Sequence, residues 1–156
     1  MHLNRNRIIG GIIAGVIATG VISPQLVHAY DIDQNIYYDK EYGFVDGVTH
    51  YAKDSYGRIW YYRNLKNGTI SIDGTLDVDS YLEVPQTLDG KTVTVISNVA
   101  NSPDAFSNRW SPDYGKKEAL VTKIKLPQTV KIILDKAFVL LKNLKEIEMP
   151  ENIKMA

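Results

Sequence analysis

The stretch "IKLPQTVKIILDKAFVLLKNLKEIEMPENI", Ile124 to Ile153, states one pattern twice, and this repetition constrains the fold more than any single motif does. Ile124-x-Leu126-Pro127 recurs as Ile147-x-Met149-Pro150, a shift of 23 residues that also carries Val130 onto Ile153. A period in the twenties marks a stacked repeat architecture. A unit this small cannot bury its own apolar side, so Ile124 and Leu126 need Ile147 and Met149 beside them. Upstream, "YLEVPQT" matches "KIKLPQT" at a shift of 42, which puts Leu82, Val84 and Pro85 on Ile124, Leu126 and Pro127. That interval is nineteen residues longer than the first. "TVTVIS" answers "TVKIIL", and Ala105-Phe106 answers Ala137-Phe138. The surplus is then five residues around "LDGKT", five before Ala105 and nine after Phe106, each among turn formers. Phe106 is expected to stack on Phe138.

Alternation turns the residues between the buried positions to the opposite face. Two columns result: Tyr81, Lys123, Glu146 and Glu83, Lys125, Glu148. With neighbouring strands about 4.8 Å apart, Lys125 lies between two glutamates and Lys123 beside a third. Such a face, of mixed charge with a tyrosine at one edge, suits a protein partner better than a polyanion. A proline after each short strand ends its ladder, because it has no N–H to donate. In the nine-residue surplus, Trp110 and Tyr114 are candidates either for a lid on the core or for a contact point.

The linked pattern "LVTKIKLPQTVKIILDKAFVLLKNLKEIEMPENI" resembles the BspA-like leucine-rich repeat family, at Val130, Ile133, Ala137, Phe138, Leu144, Ile147, Met149 and Pro150. "NGTISIDGTLDVDSYLEVPQTLDGKTVTVIS" is similar to that family's lead-in to its first repeat. The resemblance implies a mainly β chain with short helices. The architecture is a short solenoid of parallel strands over residues 80–156, with Ala-Phe on a short helix or turn of the convex side. About two units are present, the array is cut short, and an antiparallel β-hairpin cap over residues 30–79 closes its open end.

The amino terminus reads differently. Arg5 and Arg7 precede an uncharged apolar run from Ile8 to Ile22, and "SPQLVHA" ends with Val27 and Ala29 where a signal peptidase reads. Residues 1–29 are a secretory signal peptide. The run is shorter than the roughly 20 residues of a membrane span, is interrupted by glycine and is followed by Pro24, so no span is expected after cleavage. The remainder carries sixteen Lys and Arg, since Arg5 and Arg7 leave, against eighteen Asp and Glu. Without a clustered basic excess, nucleic acid is not an expected partner. An exported chain with no cysteine is held by its core alone, which suits a secreted or surface protein of a Gram-positive bacterium.

The same residues limit chemistry. His50 is the only histidine after cleavage, which excludes a paired-histidine zinc site, and it reads as a surface strand residue. No serine lies in a Gly-x-Ser-x-Gly turn. Paired carboxylates for glycoside hydrolysis stay open, because their separation is a property of the fold. "DIDQNIYYDKEY" fails as a calcium loop, having Ile36 for glycine and Tyr42 at its last ligand position. "LPQTV" at Leu126 belongs to the repeat and is no sortase signal, and Asn67-Gly68 in "LKNGTISI" reads as a two-residue hairpin turn.

Eight of the ten tyrosines fall between Tyr30 and Tyr62, with glycine turns that argue short antiparallel strands. "GRIWYYRNLKNG" also resembles one choline- or glucan-binding wall repeat, whose Trp and Tyr cage a ligand. Taken together, the residues and the resemblance imply an exported, non-enzymatic, cofactor-free and metal-free surface protein, adhesin-like, that binds a host or neighbouring-cell protein. A cell-wall glycan is the second partner class. The alternative is a wall- or substrate-targeting module of a longer secreted hydrolase or peptidase.

Overall fold

The computed structural model describes residues 7–8, 28–30, 39–100 and 112–151, the first two stretches as backbone only. Eleven strands are formed: β1 (Arg7–Ile8), β2 (His28–Tyr30), β3 (His50–Lys53), β4 (Ile59–Asn64), β5 (Ile70–Thr75), β6 (Tyr81–Glu83), β7 (Thr87–Leu88), β8 (Lys91–Ile96), β9 (Lys123–Lys125), β10 (Ile132–Leu134) and β11 (Glu146–Glu148). They make two sheets. The larger runs β1-β2-β10-β8-β5-β4-β3, with β7 also on β8, and the smaller runs β11-β9-β6.

Short apolar and aromatic runs between turn residues account for the antiparallel part, in which β3 pairs β4 and β4 pairs β5. The β4–β5 connection differs from the expected two-residue turn. Gly68 N–H closes on Leu65 O at 3.0 Å, Gly68 takes φ +84°, and Leu65 N–H bonds Thr69 O, so the loop has three residues. Asn67 avoids positive φ because its side chain accepts the backbone N–H and the hydroxyl of Thr69, at 2.9 and 2.6 Å. The five-residue surplus around "LDGKT" is itself a hairpin. Leu88 pairs Lys91 around Asp89 (φ +50°) and Gly90 (φ +72°), a tight turn with both central residues left-handed.

From β5 onward the pairing turns parallel: β5 to β8, β8 to β10, and β6 to β9 to β11. The chain passes between the sheets alternately, β6 small, β8 large, β9 small, β10 large, β11 small. Leu82, Ile124 and Ile147 share one register position and are fully buried, and Val84, Leu126 and Met149 are buried one step further on. These six join Val93, Ile96, Ile133, Ala137 and Phe138 in one core between the sheets. Full burial of each such aliphatic side chain contributes about 1.5–3 kcal/mol. Val95 faces Ile132 and Ile96 faces Ile133, the pairing expected from matching "TVTVIS" to "TVKIIL".

The backbone repeats with the sequence. Thr122 and Lys123 both donate to Ser80 O, at 2.9 and 3.1 Å, and Lys145 and Glu146 both donate to Thr122 O, at 2.8 and 3.1 Å. Val84 N–H reaches Lys125 O and Leu126 N–H reaches Glu148 O, after which Pro85 and Pro127 end the ladders. Between β4 and the segment leading into β6, Arg58 bonds Asp79 at 2.6 Å and Ile59 N–H donates to Asp77 at 2.8 Å.

The expected short helices are corrected. Among the described residues the helical part is one 3-10 turn, Glu118–Leu120. Ala137 and Phe138 occupy i to i+3 turns, closed by Ala137 N–H on Leu134 O and Leu141 N–H on Phe138 O, and Leu140 at φ +68° stops any helix from propagating. Ala105, Phe106 and Trp110 lie outside the described residues, as do most of residues 1–29. The strand β2 pairs in parallel with β10, Ala29 facing Ile133 and Tyr30 facing Leu134. Cleavage after Ala29 would leave Tyr30 alone of its three residues.

Candidate functional site

Alternation on three parallel strands gathers six of the eight sequence-selected residues. Tyr81, Lys123 and Glu146 share one register position, and Glu83, Lys125 and Glu148 share another. The register is the one expected, and Lys125 has a glutamate on each side. One of the ion pairs crosses the columns. Lys125 Nζ lies 3.5 Å from Glu83 and Lys123 Nζ 3.7 Å from Glu146, each within its column, whereas Lys123 Nζ also lies 3.2 Å from Glu148, in the other column. Lys123 also sits over the Tyr81 ring of its own column at 5.6 Å. The hydrogen bond to Glu148 holds the Lys123 ammonium above its ordinary value, and the charge of Glu83 does the same for Lys125. Burial, and then the charges of Glu83 and Glu148, raise the Tyr81 phenol.

A cleft of about 500 Å³ adjoins this face, and Glu83 and Lys125 belong to both. Its walls are the Lys53–Tyr56 turn, the β7 hairpin through Asp89, and two segments at equivalent repeat positions, Val84-Pro85-Gln86 and Leu126-Pro127-Gln128. Two buried aromatics of β4 fix the walls. The indole N–H of Trp60 donates to Asp54 Oδ2 at 2.8 Å, while Asp54 Oδ1 accepts the backbone N–H of Tyr56 and Arg58 at 2.8 and 3.0 Å. On the other side the Tyr62 hydroxyl donates to Asp89 Oδ2 at 2.6 Å. Trp60 and Tyr62 alternate with outward residues, so both rings enter the core and only their polar tips reach the loops.

Burial pushes the Tyr62 phenol up to about 12, with the Asp89 hydrogen bond and charge adding to it. The unfolded phenol ionises near 10.0, so its contribution is complete below that pH and is lost as the pH rises toward about 12. Between these limits Tyr62→Phe is expected to show a shallower fall in stability than the unaltered chain, measured by denaturant unfolding. Equal slopes would mean that the phenol does not keep its proton.

Trp60 is fully buried and engaged by Asp54, so it lines no ligand cage of the wall-repeat kind. His50 is a half-buried strand residue, stacked on Tyr62 at 5.4 Å and 3.2 Å from Asn64. Tyr114 is 38% exposed in the turn preceding the 3-10 segment and is not part of the ladder, and Trp110 lies outside the described residues. The sequence reading missed Tyr56, Gln86, Asp89 and Gln128 as a group. Gly57 and Gly90 mark turns, but nothing local says that two turns 33 residues apart, at Tyr56 and Asp89, line one cleft. Among the described residues no cluster of three or more acidic or histidine side chains could hold a metal ion, and no helix is long and apolar enough to cross a membrane.

No family model matches the chain, and no curated protein matches it. Among solved structures, a leucine rich cell surface protein from Faecalibacterium prausnitzii is similar, at 15% identity and a TM-score of 0.45. The likeness covers 70% of this chain and 25% of that one, so this chain spans about a quarter of that protein's length.

Proposed function

We propose that this chain is an exported, non-enzymatic, bacterial cell-surface interaction protein, a short leucine-rich-repeat solenoid that binds a protein partner through the β6-β9-β11 face. The supporting observation is the ladder itself: Glu83, Lys123, Lys125, Glu146 and Glu148 stand in register on a rigid sheet beside Tyr81, with charges of both signs interleaved. Fixed charges of alternating sign select a partner by complementarity and set its register. Tyr81, 39% exposed, supplies the amphipathic ring that such contacts favour.

The test is surface plasmon resonance of the purified chain against a panel of extracellular-matrix and cell-surface proteins. Lys123→Gln with Lys125→Gln is expected to weaken the recognised partner by about ten-fold or more, and added salt to weaken the unaltered chain similarly. Because Lys125 is exposed and Lys123 is half-exposed at the sheet surface, with ion pairs open to solvent, the thermal midpoint should barely move. A double variant that binds as before would place recognition elsewhere. The second reading, a targeting module of a longer secreted hydrolase or peptidase, draws its support from the polar cleft beside the ladder.

A further inference from the structure

We infer that the cleft between the Lys53–Tyr56 turn and the β7 hairpin is a binding site for a short neutral oligosaccharide, adjoining the protein-binding face, with which it shares Glu83 and Lys125, and independent of that face's assignment. The volume of about 500 Å³ falls within the range of small-ligand sites, and the walls are built in advance. Asp54 spends both carboxylate oxygens fixing one wall, and Asp89 is tied to the buried Tyr62 on the other. Sites organised before binding lose little entropy when the ligand arrives.

The lining chooses the chemistry. Lys53 and Lys125 stand against Asp54, Glu83 and Asp89, and Glu83 and Lys125 pair with each other, so the cleft has no strong field for a charged ligand. The lining includes the small apolar surfaces of Pro85 and Pro127, while Ser55, Gln86, Thr87 and Gln128 offer donors and acceptors together, as a polyhydroxylated ligand requires. Tyr56, 82% exposed on a turn held by Asp54, supplies a flat ring against which the C–H face of a sugar can lie, with a hydroxyl at its tip.

An extended peptide fits less well. Recognition of a peptide as an added strand needs free backbone donors. Here Pro85 and Pro127 have none, and the N–H groups of Val84 and Leu126 are already spent on Lys125 O and Glu148 O. What remains for a ligand is hydroxyl, amide and aromatic surface.

Isothermal titration calorimetry with maltohexaose, cellohexaose, laminarihexaose and chitotetraose tests the assignment on the unaltered chain and on Tyr56→Ala, Tyr56→Phe and Gln86→Ala. Saturable binding of at least one of these sugars is expected. Tyr56→Ala should weaken it by about ten-fold or more, Gln86→Ala by roughly three-fold or more, and Tyr56→Phe by less than either, at unchanged thermal midpoints. Lys123→Gln with Lys125→Gln would still weaken protein binding by about ten-fold or more if only the sugar assignment fails. The inference is overturned if none of the four sugars binds, if Tyr56→Ala binds as the unaltered chain does, or if sugars are ignored while a proline-rich peptide binds in a Tyr56-dependent way.

Discussion

Ile124→Ala should cost about 2–5 kcal/mol of folding free energy, because the side chain is fully buried in the middle strand of three and its loss leaves a cavity between Leu82 and Ile147. A chain of this size has a total stability of about 5–15 kcal/mol, so the loss takes a large fraction of it. The thermal midpoint should fall by about 4–20 °C, in a scan followed by circular dichroism. The control lies one residue away. Lys125 points to the other face of the same strand and is exposed, so Lys125→Ala should leave the midpoint where it was. If the two variants melt alike, the alternation that defines core and ladder is misplaced.

The second large effect belongs to Asp54. Asp54→Ala removes the acceptor of the Trp60 indole N–H and of two backbone N–H groups, leaving the indole donor unsatisfied inside a fully buried residue. An orphaned buried donor alone costs about 1–3 kcal/mol, and the turn is loosened besides. Asp54→Asn retains one acceptor oxygen where two are needed, so the expected order of stability is Asp, then Asn, then Ala. In a double-mutant cycle with Trp60→Phe the losses should be less than additive, since each change removes the same bond. Additive losses would mean that Trp60 and Asp54 act separately. Because Asp54 also presents Tyr56, its Ala variant should bind sugar less well even at temperatures where it is folded.

The ladder and the cleft are unequal in how the chain encodes them. Period-two alternation with the shifts of 42 and 23 residues fixes which residues of β6, β9 and β11 point inward and which strands are neighbours, so Glu83, Lys125 and Glu148 could be placed side by side from residue spacing alone. Side-chain choice within that frame could not. Lys123 reaches past Glu146 to Glu148 because a long flexible stem settles among several carboxylates and a ring, and that settlement is three-dimensional. The hairpin at Asp89-Gly90 carries its own turn signal, yet the match between repeats leaves it among the surplus residues.

By itself, the sequence determined the repeat register, the buried columns Leu82-Ile124-Ile147 and Val84-Leu126-Met149, the strand ends at Pro85 and Pro127, and the antiparallel character of the tyrosine-rich segment, because each follows from short-range periodicity or from a residue's own backbone limits. Only the tertiary structure decided that Ala137-Phe138 turns without becoming a helix, that Trp60 is core, and that Tyr56 and Gln86 meet across a cleft. The last two depend on which polar group outside β4 satisfies a buried donor on it: Asp54, in the turn before the strand, for the indole of Trp60, and Asp89, 27 residues on, for the phenol of Tyr62. Such a pairing is set by how the turns of the large sheet fold back on β4, and alternation along one strand does not contain it.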